Sequence, residues 1–193
     1  MSLVVAYKRN GTIYMGADTQ STCDSTISRA LNESGFKITR LANGMLIGVC
    51  GRVKGHQKIV AQKHWFDIPE NETLSKRYIV KNIIPELSEL MGDIKEDKDA
   101  RNSSMEVRVL IAHKDKMFII TRMFNVLECE TYAAIGAGDS YSKYYLSQIK
   151  EDDDINEGLI KALRAGAYFD STVSAPFVLI DTENREYKLV EVK

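Results

Sequence analysis

The chain has 193 residues, of which 44% are hydrophobic and 27% charged, and its formal net charge is −1. This length predicts a single domain over residues 1–193 with enough chain for a sizeable hydrophobic core. The near-zero net charge argues against nucleic acid as a partner. The sequence also lacks the run of about 18 apolar residues that a membrane-spanning helix needs.

The three cysteines, Cys23, Cys50 and Cys129, are widely separated and form no Cys-x-x-Cys motif. An odd number of scattered cysteines is typical of buried thiols in a reducing compartment. No metal-ligand spacing relates His56, His64 and His113, so we expect these histidines on helix faces or at a strand end. The chain begins without the basic and then apolar stretch of a secretory leader. We therefore expect a cytoplasmic protein with no metal site and no cofactor.

The first quarter of the chain predicts two β-hairpins in an antiparallel sheet. Apolar and β-branched runs flank Asn10-Gly11, which is a strong signal for a tight hairpin turn. The same pattern recurs around Asn43-Gly44. Between the hairpins, Ser, Thr and Ile alternate roughly and predict one further strand. The predicted strands are residues 3–8, 12–17, 20–28, 36–41 and 45–50.

Two helices are predicted next, because apolar residues recur at helical spacing over about residues 53–64 and 74–91. Pro85 lies within the second pattern, so we expect a kink there. Residues 92–104 are charged and polar, and they predict a loop.

The last part of the chain predicts strands, two helices and a closing hairpin. Asp139 and Ser140 follow Gly136-Ala137-Gly138 at the start of a helix to about residue 149. The acidic run 152–154 begins a second helix, because acidic side chains favour a helix N-terminus. The second helix covers about residues 155–169, and the predicted strands are 107–113, 117–122, 125–129, 131–135, 178–181 and 186–192.

This order of elements predicts an α+β fold. Each pair of helices can cover one sheet, so two antiparallel sheets packed face to face between helical layers satisfy the order. The fold predicted from the pattern is therefore a four-layer αββα sandwich.

A set of reactive side chains accompanies the first strands. If Met1 is removed, Ser2 carries both a hydroxyl and a free α-amine, so one residue supplies a nucleophile and its base. Lys37 would hold the local field positive, Asp18 would fix that lysine, and the Gly51 N–H would face an oxyanion. Simpler alternatives stay open: Asp18 capping a turn, Lys37 as a solvated strand residue, and Gly51 as an ordinary turn glycine.

Four segments occur in the order found in one known family. They are Val-Val-Ala-Tyr-Lys-Arg-Asn-Gly at 4–11, Gly-Ala-Asp-Thr-Gln at 16–20, Lys-Ile-Thr-Arg-Leu-Ala-Asn-Gly at 37–44 and Gly-Val-Cys-Gly at 48–51. Together with the turn at 136–138, they resemble the proteasome β-subunit and HslV family of N-terminal nucleophile hydrolases. The resemblance covers nearly the whole chain and is weak over residues 67–104. It implies the same four-layer αββα fold.

The resemblance also implies roles for individual residues. Ser2 takes the place of the family's N-terminal threonine, and Asp18 and Lys37 take the supporting pair. Gly51 takes the position of the oxyanion N–H, and Asp170 that of a late aspartate at the end of the last helix. The pocket for the substrate residue before the cleaved bond is lined from Ser21, Gly35, Val49 and Val53. None of these four is charged, so we expect a preference for medium apolar residues such as leucine. Arg52 lies beside the pocket, and its charge would act against this preference by attracting acidic residues.

The implied activity is that of an endopeptidase acting on polypeptides inside a homo-oligomeric ring, with six subunits slightly preferred over seven. The resemblance also implies an ATPase unfoldase as a partner, and any use of ATP would fall to that partner, because the chain has no phosphate loop of its own. Three departures from the family pattern stand out: serine replaces threonine at position 2, Ala137 replaces a serine, and the segment after Asp170 is altered. Two alternatives therefore stay open, an inactive ring or scaffold subunit and an amidohydrolase of the same class acting on a small amide.

Overall fold

The strands of this fold pair antiparallel, in two five-stranded sheets and one two-stranded ribbon. The computed structural model describes residues 2–23, 26–69, 72–92 and 107–191. A first sheet has the order β10-β1-β2-β11-β12, a second sheet has the order β5-β6-β7-β8-β9, and β3-β4 form a two-stranded ribbon. The strands are β1 (Leu3–Arg9), β2 (Thr12–Asp18), β3 (Gln20–Cys23), β4 (Thr26–Arg29), β5 (Ile38–Arg40), β6 (Leu46–Gly51), β7 (Val107–His113), β8 (Lys116–Ile120), β9 (Val126–Glu128), β10 (Tyr132–Gly136), β11 (Phe177–Asp181) and β12 (Lys188–Val190).

The strand predictions are confirmed with two corrections. The two early hairpins lie in different sheets, because β1-β2 belong to the first and β5-β6 to the second. Where one strand was predicted over residues 20–28, Gln20–Cys23 and Thr26–Arg29 form two paired strands, with Gln20 opposite Arg29 and Ser21 opposite Ser28.

The helices also follow the predicted order. They are α1 (Val53–Ala61), α2 (Lys76–Tyr78), α3 (Ile84–Gly92), α4 (Asp139–Leu146) and α5 (Ile155–Phe169). A π-helical segment, Ile79–Ile83, joins α2 to α3 directly before Pro85. Proline lacks the N–H of a regular helical hydrogen bond, so a departure from α-helical geometry next to it is expected. The predicted loop falls almost wholly outside the described residues.

Helix α4 begins at Asp139, as the sequence predicts, and Gly138 at φ +73° is its N-cap. A Cβ on Gly138 would lie 2.8 Å from the Cα of Gly166 in α5, so the two helices meet at a distance that only glycine permits. The helix ends at Leu146 and not near residue 149. At the start of α5, by contrast, Asp154 accepts a hydrogen bond from the Glu157 amide, as its acidic run predicts.

Three hydrophobic clusters form the core. One lies between the second sheet and the helices that follow it, one between the two sheets, and one between the first sheet and α5. Strand β1 is buried on both faces: Val4 and Ala6 belong to the cluster between the sheets, whereas Leu3 and Val5 pack with α5. This explains its unbroken apolar run and holds residue 2 at the edge of the core. Among the described residues, none of the helices is long and apolar enough to span a membrane.

Candidate active site

A buried ion pair connects the two sheets. Lys37, which directly precedes β5, donates from Nζ to Asp18 Oδ2 at 2.6 Å and to the Gln20 carbonyl oxygen at 2.5 Å. The Lys37 side chain is 7% exposed and that of Asp18 is 0% exposed. Lys37 is therefore not a solvated strand residue, and the structure brings the two predicted charges into direct contact.

Asp18 accepts further hydrogen bonds from the backbone. The Leu3 amide donates to Oδ1 at 2.8 Å and the Gln20 amide to Oδ2 at 3.2 Å. Burial raises the pKa of the Asp18 carboxyl above its usual value, while the Lys37 ammonium and the two amides act in the opposite direction. The carboxylate thus ties the residue after Ser2 to the lysine.

Ser2 is held on both sides of its peptide group. Its carbonyl oxygen accepts a hydrogen bond from the Ala137 amide at 2.8 Å, and the next amide, that of Leu3, is held by Asp18. Gly136 has φ +108°, and a Cβ there would overlap the Ser2 carbonyl oxygen. Only glycine lets the turn approach Ser2 this closely. Ala137 lacks the hydroxyl expected at its position, but its backbone N–H still contacts Ser2.

A cavity of about 250 Å³ opens beside Ser2. Lys37 and Gly51 line it together with Ser2, so three of the predicted catalytic residues share one space. Gly51 has φ +138°, a conformation that favours glycine, at the junction of β6 and α1. All four predicted pocket residues also line this cavity: Ser21, Gly35, Val49 and Val53.

Sequence reasoning missed six further residues of the cavity wall. They are Ser28, Arg29, Ala30, Ser34, His56 and Gln57. A signal existed for two of them, because His56 and Gln57 lie three and four positions after Val53 and therefore share its helix face. The serines come from β4 and from the turn before β5, and nothing in their local sequence pointed to the cavity.

Arg29 borders the cavity, but its charge is directed elsewhere. Side chains alternate along a strand, and the pairing places Gln20 and Arg29 on one face of the ribbon and Ser21 and Ser28 on the other. Consistently, Arg29 Nε donates to the Ala175 carbonyl oxygen at 2.9 Å. Gln20 Nε2 donates to the Ser171 carbonyl oxygen on the same side.

His56 differs from the other wall residues in its unmet hydrogen-bonding capacity. Its Nε2 atom is buried and has no hydrogen-bond partner within the described part of the chain. Burial, and secondarily the charge of Lys37, lower the pKa of this imidazole below its usual value of 6.5. The ring is therefore neutral at neutral pH. Sequence analysis placed it only on a helix face.

Asp170 accepts its side-chain hydrogen bonds from a residue two positions further along the chain. It follows α5, and its Oδ1 accepts hydrogen bonds from the backbone amide of Thr172 at 2.9 Å and from the hydroxyl of the same residue at 2.5 Å. It is not among the residues that line the cavity. Its catalytic role stays a prediction.

The described residues contain no group of three or more His, Cys, Asp or Glu side chains placed to hold a metal ion. Cys50 is buried, its thiol donates to the Ile135 carbonyl oxygen at 3.2 Å, and burial raises its pKa. A thiol in that environment is unreactive.

Comparisons with known proteins agree with this geometry at the level of the fold. No protein-family model matches the sequence, and no curated protein is significantly similar to it. Among solved structures, BPH of Thiobacillus denitrificans in complex with epoxomicin is 19% identical with a TM-score of 0.71, covering 98% of this chain and 100% of that one. HslV of Trypanosoma brucei is 15% identical with a TM-score of 0.66 (93% and 98% covered), and Anbu, the ancestral β-subunit of Yersinia bercovieri, is 15% identical with a TM-score of 0.69 (97% and 86% covered). The resemblance seen in the sequence is confirmed as a shared fold: this chain has the proteasome-like architecture of HslV and Anbu.

Proposed function

We propose that the chain is an endopeptidase of the N-terminal nucleophile type, with Ser2 as the nucleophile after removal of Met1. The observation that carries this proposal is that Lys37, paired with the buried Asp18, lines the cavity that Ser2 and Gly51 also line. A buried lysine held by a carboxylate next to a hydroxyl provides a fixed positive charge where a nucleophile needs one.

In the proposed reaction, Ser2 Oγ attacks the carbonyl carbon of the peptide bond and its α-amine accepts the hydroxyl proton. The Gly51 N–H stabilises the resulting oxyanion, and the Lys37 charge stabilises the developing alkoxide. The C–N bond then breaks, the α-amine returns the proton to the leaving amine, and the acyl group stays on Ser2 as an ester. Water hydrolyses that ester. Asp18 keeps Lys37 in place, and Asp170 supports the site from the end of α5.

The proposed subunit is a single domain with four-layer αββα packing that works in the cytoplasm inside a homo-oligomeric ring. Support for self-association comes from exposed aromatic side chains on α4 and α5, because large exposed apolar patches mark interaction surfaces. Tyr141 stacks on Phe169 with ring centroids 4.0 Å apart, and Tyr168 is 84% exposed. We expect six subunits rather than seven, and an ATPase ring as a partner that delivers unfolded polypeptide. A monomer in native mass spectrometry at micromolar concentration would contradict this assembly.

A second candidate is a ring or scaffold subunit without activity. It is favoured by Ala137, which offers no hydroxyl beside Ser2, and by Asp170, whose Oδ1 is engaged by Thr172. The two candidates make opposite statements about Ser2, so one variant separates them.

The test is cleavage of an unfolded protein and of a peptide library by wild type, Ser2→Ala and Ser140→Ala. Ser140 is an exposed serine whose hydroxyl donates to Asp139, and it serves as the matched control. We expect Ser2→Ala to abolish cleavage and Ser140→Ala to leave it unchanged. Epoxomicin is an independent probe, and we expect it to raise the melting temperature of wild type but not of Ser2→Ala. Absence of cleavage and of epoxomicin binding in a folded wild type whose N-terminal residue is Ser2 would favour the scaffold.

A further inference from the structure

One polar side-chain atom in the wall of the cavity next to Ser2 has no hydrogen-bond partner among the described residues. It is His56 Nε2, which is buried and is the single such side-chain atom found in the described part of the chain. Leaving a buried polar group unpaired is unfavourable, so an unpaired group in a native structure calls for an explanation. Its position in the wall beside Lys37 and Ser2 suggests that the missing partner belongs to a ligand.

The charges around His56 limit what that ligand group is. The imidazole is neutral, because burial and the Lys37 charge lower its pKa. A cationic ligand group finds no counter-charge, because no Asp or Glu is among the described residues that line the cavity. A carboxylate finds no free counter-charge either: Lys37 is paired with Asp18, the Arg29 side chain lies on the other face of the ribbon from Ser21 and Ser28, and Arg52 is not among the lining residues. A neutral ligand group remains.

The rest of the wall is rich in neutral polar groups. Ser21, Ser28, Ser34 and Gln57 line the cavity together with His56. Hydroxyl and amide groups both donate and accept hydrogen bonds, and a neutral imidazole donates from one nitrogen and accepts at the other. A carboxamide, which donates and accepts, satisfies either tautomer of His56. An aliphatic side chain would leave these groups unpaired as it expelled water.

We propose that this cavity selects a neutral carboxamide side chain, asparagine or glutamine, at the substrate residue before the cleaved bond, and that His56 is the specificity-determining partner of that carboxamide. Because Nε2 is covered in the empty cavity, the substrate meets it after rotation of the ring about χ2, a torsion with broad minima. This inference rests on the proposed peptidase function. It replaces the expectation of a leucine preference, which considered only the four uncharged wall residues identified from the sequence.

The experiment uses peptides that differ only in hydrogen-bonding groups. Leucine has the branched shape of asparagine and aspartate without the amide or the charge, so the three form an isosteric series at the position before the cleaved bond. We expect kcat/KM for asparagine to exceed that for leucine and for aspartate by roughly tenfold or more in wild type. His56→Leu should lose this preference and cleave the leucine peptide at least as well. His64→Leu, an exposed histidine of the following turn, is the control and should keep the wild-type ratio.

A binding measurement separates this inference from the proposed function. Calorimetry with product peptides that end in asparagine or leucine reports the pocket preference without any bond cleavage. Cleavage with leucine equal to or better than asparagine in wild type overturns the carboxamide proposal and leaves the peptidase intact. Tight binding of the asparagine product without cleavage, lost in His56→Leu, supports the pocket assignment and contradicts the peptidase. Binding of neither product overturns the carboxamide proposal.

Discussion

Replacement of Asp18 by asparagine removes the negative charge in contact with Lys37 while keeping the side-chain shape. The carboxylate accepts from the Lys37 ammonium at 2.6 Å and from the amides of Leu3 and Gln20. Asparagine has only one acceptor oxygen, so its NH₂ group would face one of the donors whose hydrogen bond the Asp18 carboxylate accepts in wild type. The variant therefore leaves a buried ammonium without a counter-ion and at least one donor without a partner.

The magnitude follows from burial. The Asp18 side chain is fully buried and that of Lys37 nearly so. Breaking a buried ion pair by changing one partner costs about 3–5 kcal/mol. We expect a loss of that size in the free energy of unfolding, measured by urea denaturation at a fixed protein concentration. Because Lys37→Met removes the stranded ammonium, the double variant should be more stable than the sum of the single losses predicts.

The matched control is Glu128→Gln, the same carboxylate-to-amide change in an exposed ion pair. Glu128 accepts from Lys116 at 3.0 Å, but both side chains are about two-fifths exposed, at 39% and 43%. Exposed pairs contribute little, so the control should lose far less stability than Asp18→Asn. Equal losses of unfolding free energy in Asp18→Asn and Glu128→Gln would show that the Asp18–Lys37 pair is not a buried ion pair that links the two sheets.

Three further predictions concern the turn beside Ser2, the titration of His56 and the aromatic face. Gly136→Ala places a Cβ against the Ser2 carbonyl oxygen at a strained φ of +108°, so we expect kcat for peptide cleavage to fall at least about tenfold. An unchanged kcat would show that the close contact between this turn and Ser2 does not position the nucleophile. The lowered pKa of His56 means that the unfolded chain binds the proton more tightly, so its contribution to stability is complete above pH 6.5 and declines below it. The fall in melting temperature on acidification should therefore be shallower in His56→Leu than in wild type. Part of the fall that remains in the variant comes from His113, because burial also lowers the pKa of that imidazole. Identical slopes of melting temperature against pH in the two proteins would contradict the contribution of His56. Tyr168→Ser combined with Phe169→Ser should shift native mass spectra towards smaller species, and an unaltered ring would exclude this face from the interface.

The sequence predicted the strands well where the pattern was local. Asn10-Gly11 fixed the first hairpin, and β7 and α5 have the predicted bounds, because alternation and helical spacing depend only on neighbours along the chain. The distribution of hairpins between sheets was not predictable in this way. It depends on long-range contacts such as that between β1 and β10, which pairs Leu3 with Gly136.

The candidate site was likewise predictable where its signal was a sequence motif and unpredictable where it depended on packing. Asp18 and Lys37 were found through an ordered set of motifs, and their contact follows from the ends of two hairpins meeting. His56 was assigned to a helix face, which is correct for its spacing but gives no information on what that face meets. Its role emerges only when α1, the ribbon and the turn before β5 enclose one cavity. The closure of such a space depends on packing, to which no short sequence pattern corresponds.

The central claim is that Ser2 acts with its own α-amine as an N-terminal nucleophile. The most direct measurement is mass spectrometry of the N-terminal peptide released by pepsin at acid pH, after acid quenching of the protein during turnover of an excess of peptide substrate. The account predicts a peptide that begins at Ser2, without Met1, and a fraction of it carrying the substrate acyl group as an ester on the Ser2 hydroxyl. Substrate cleavage by a chain that retains Met1, or by the Ser2→Ala variant, would contradict the account.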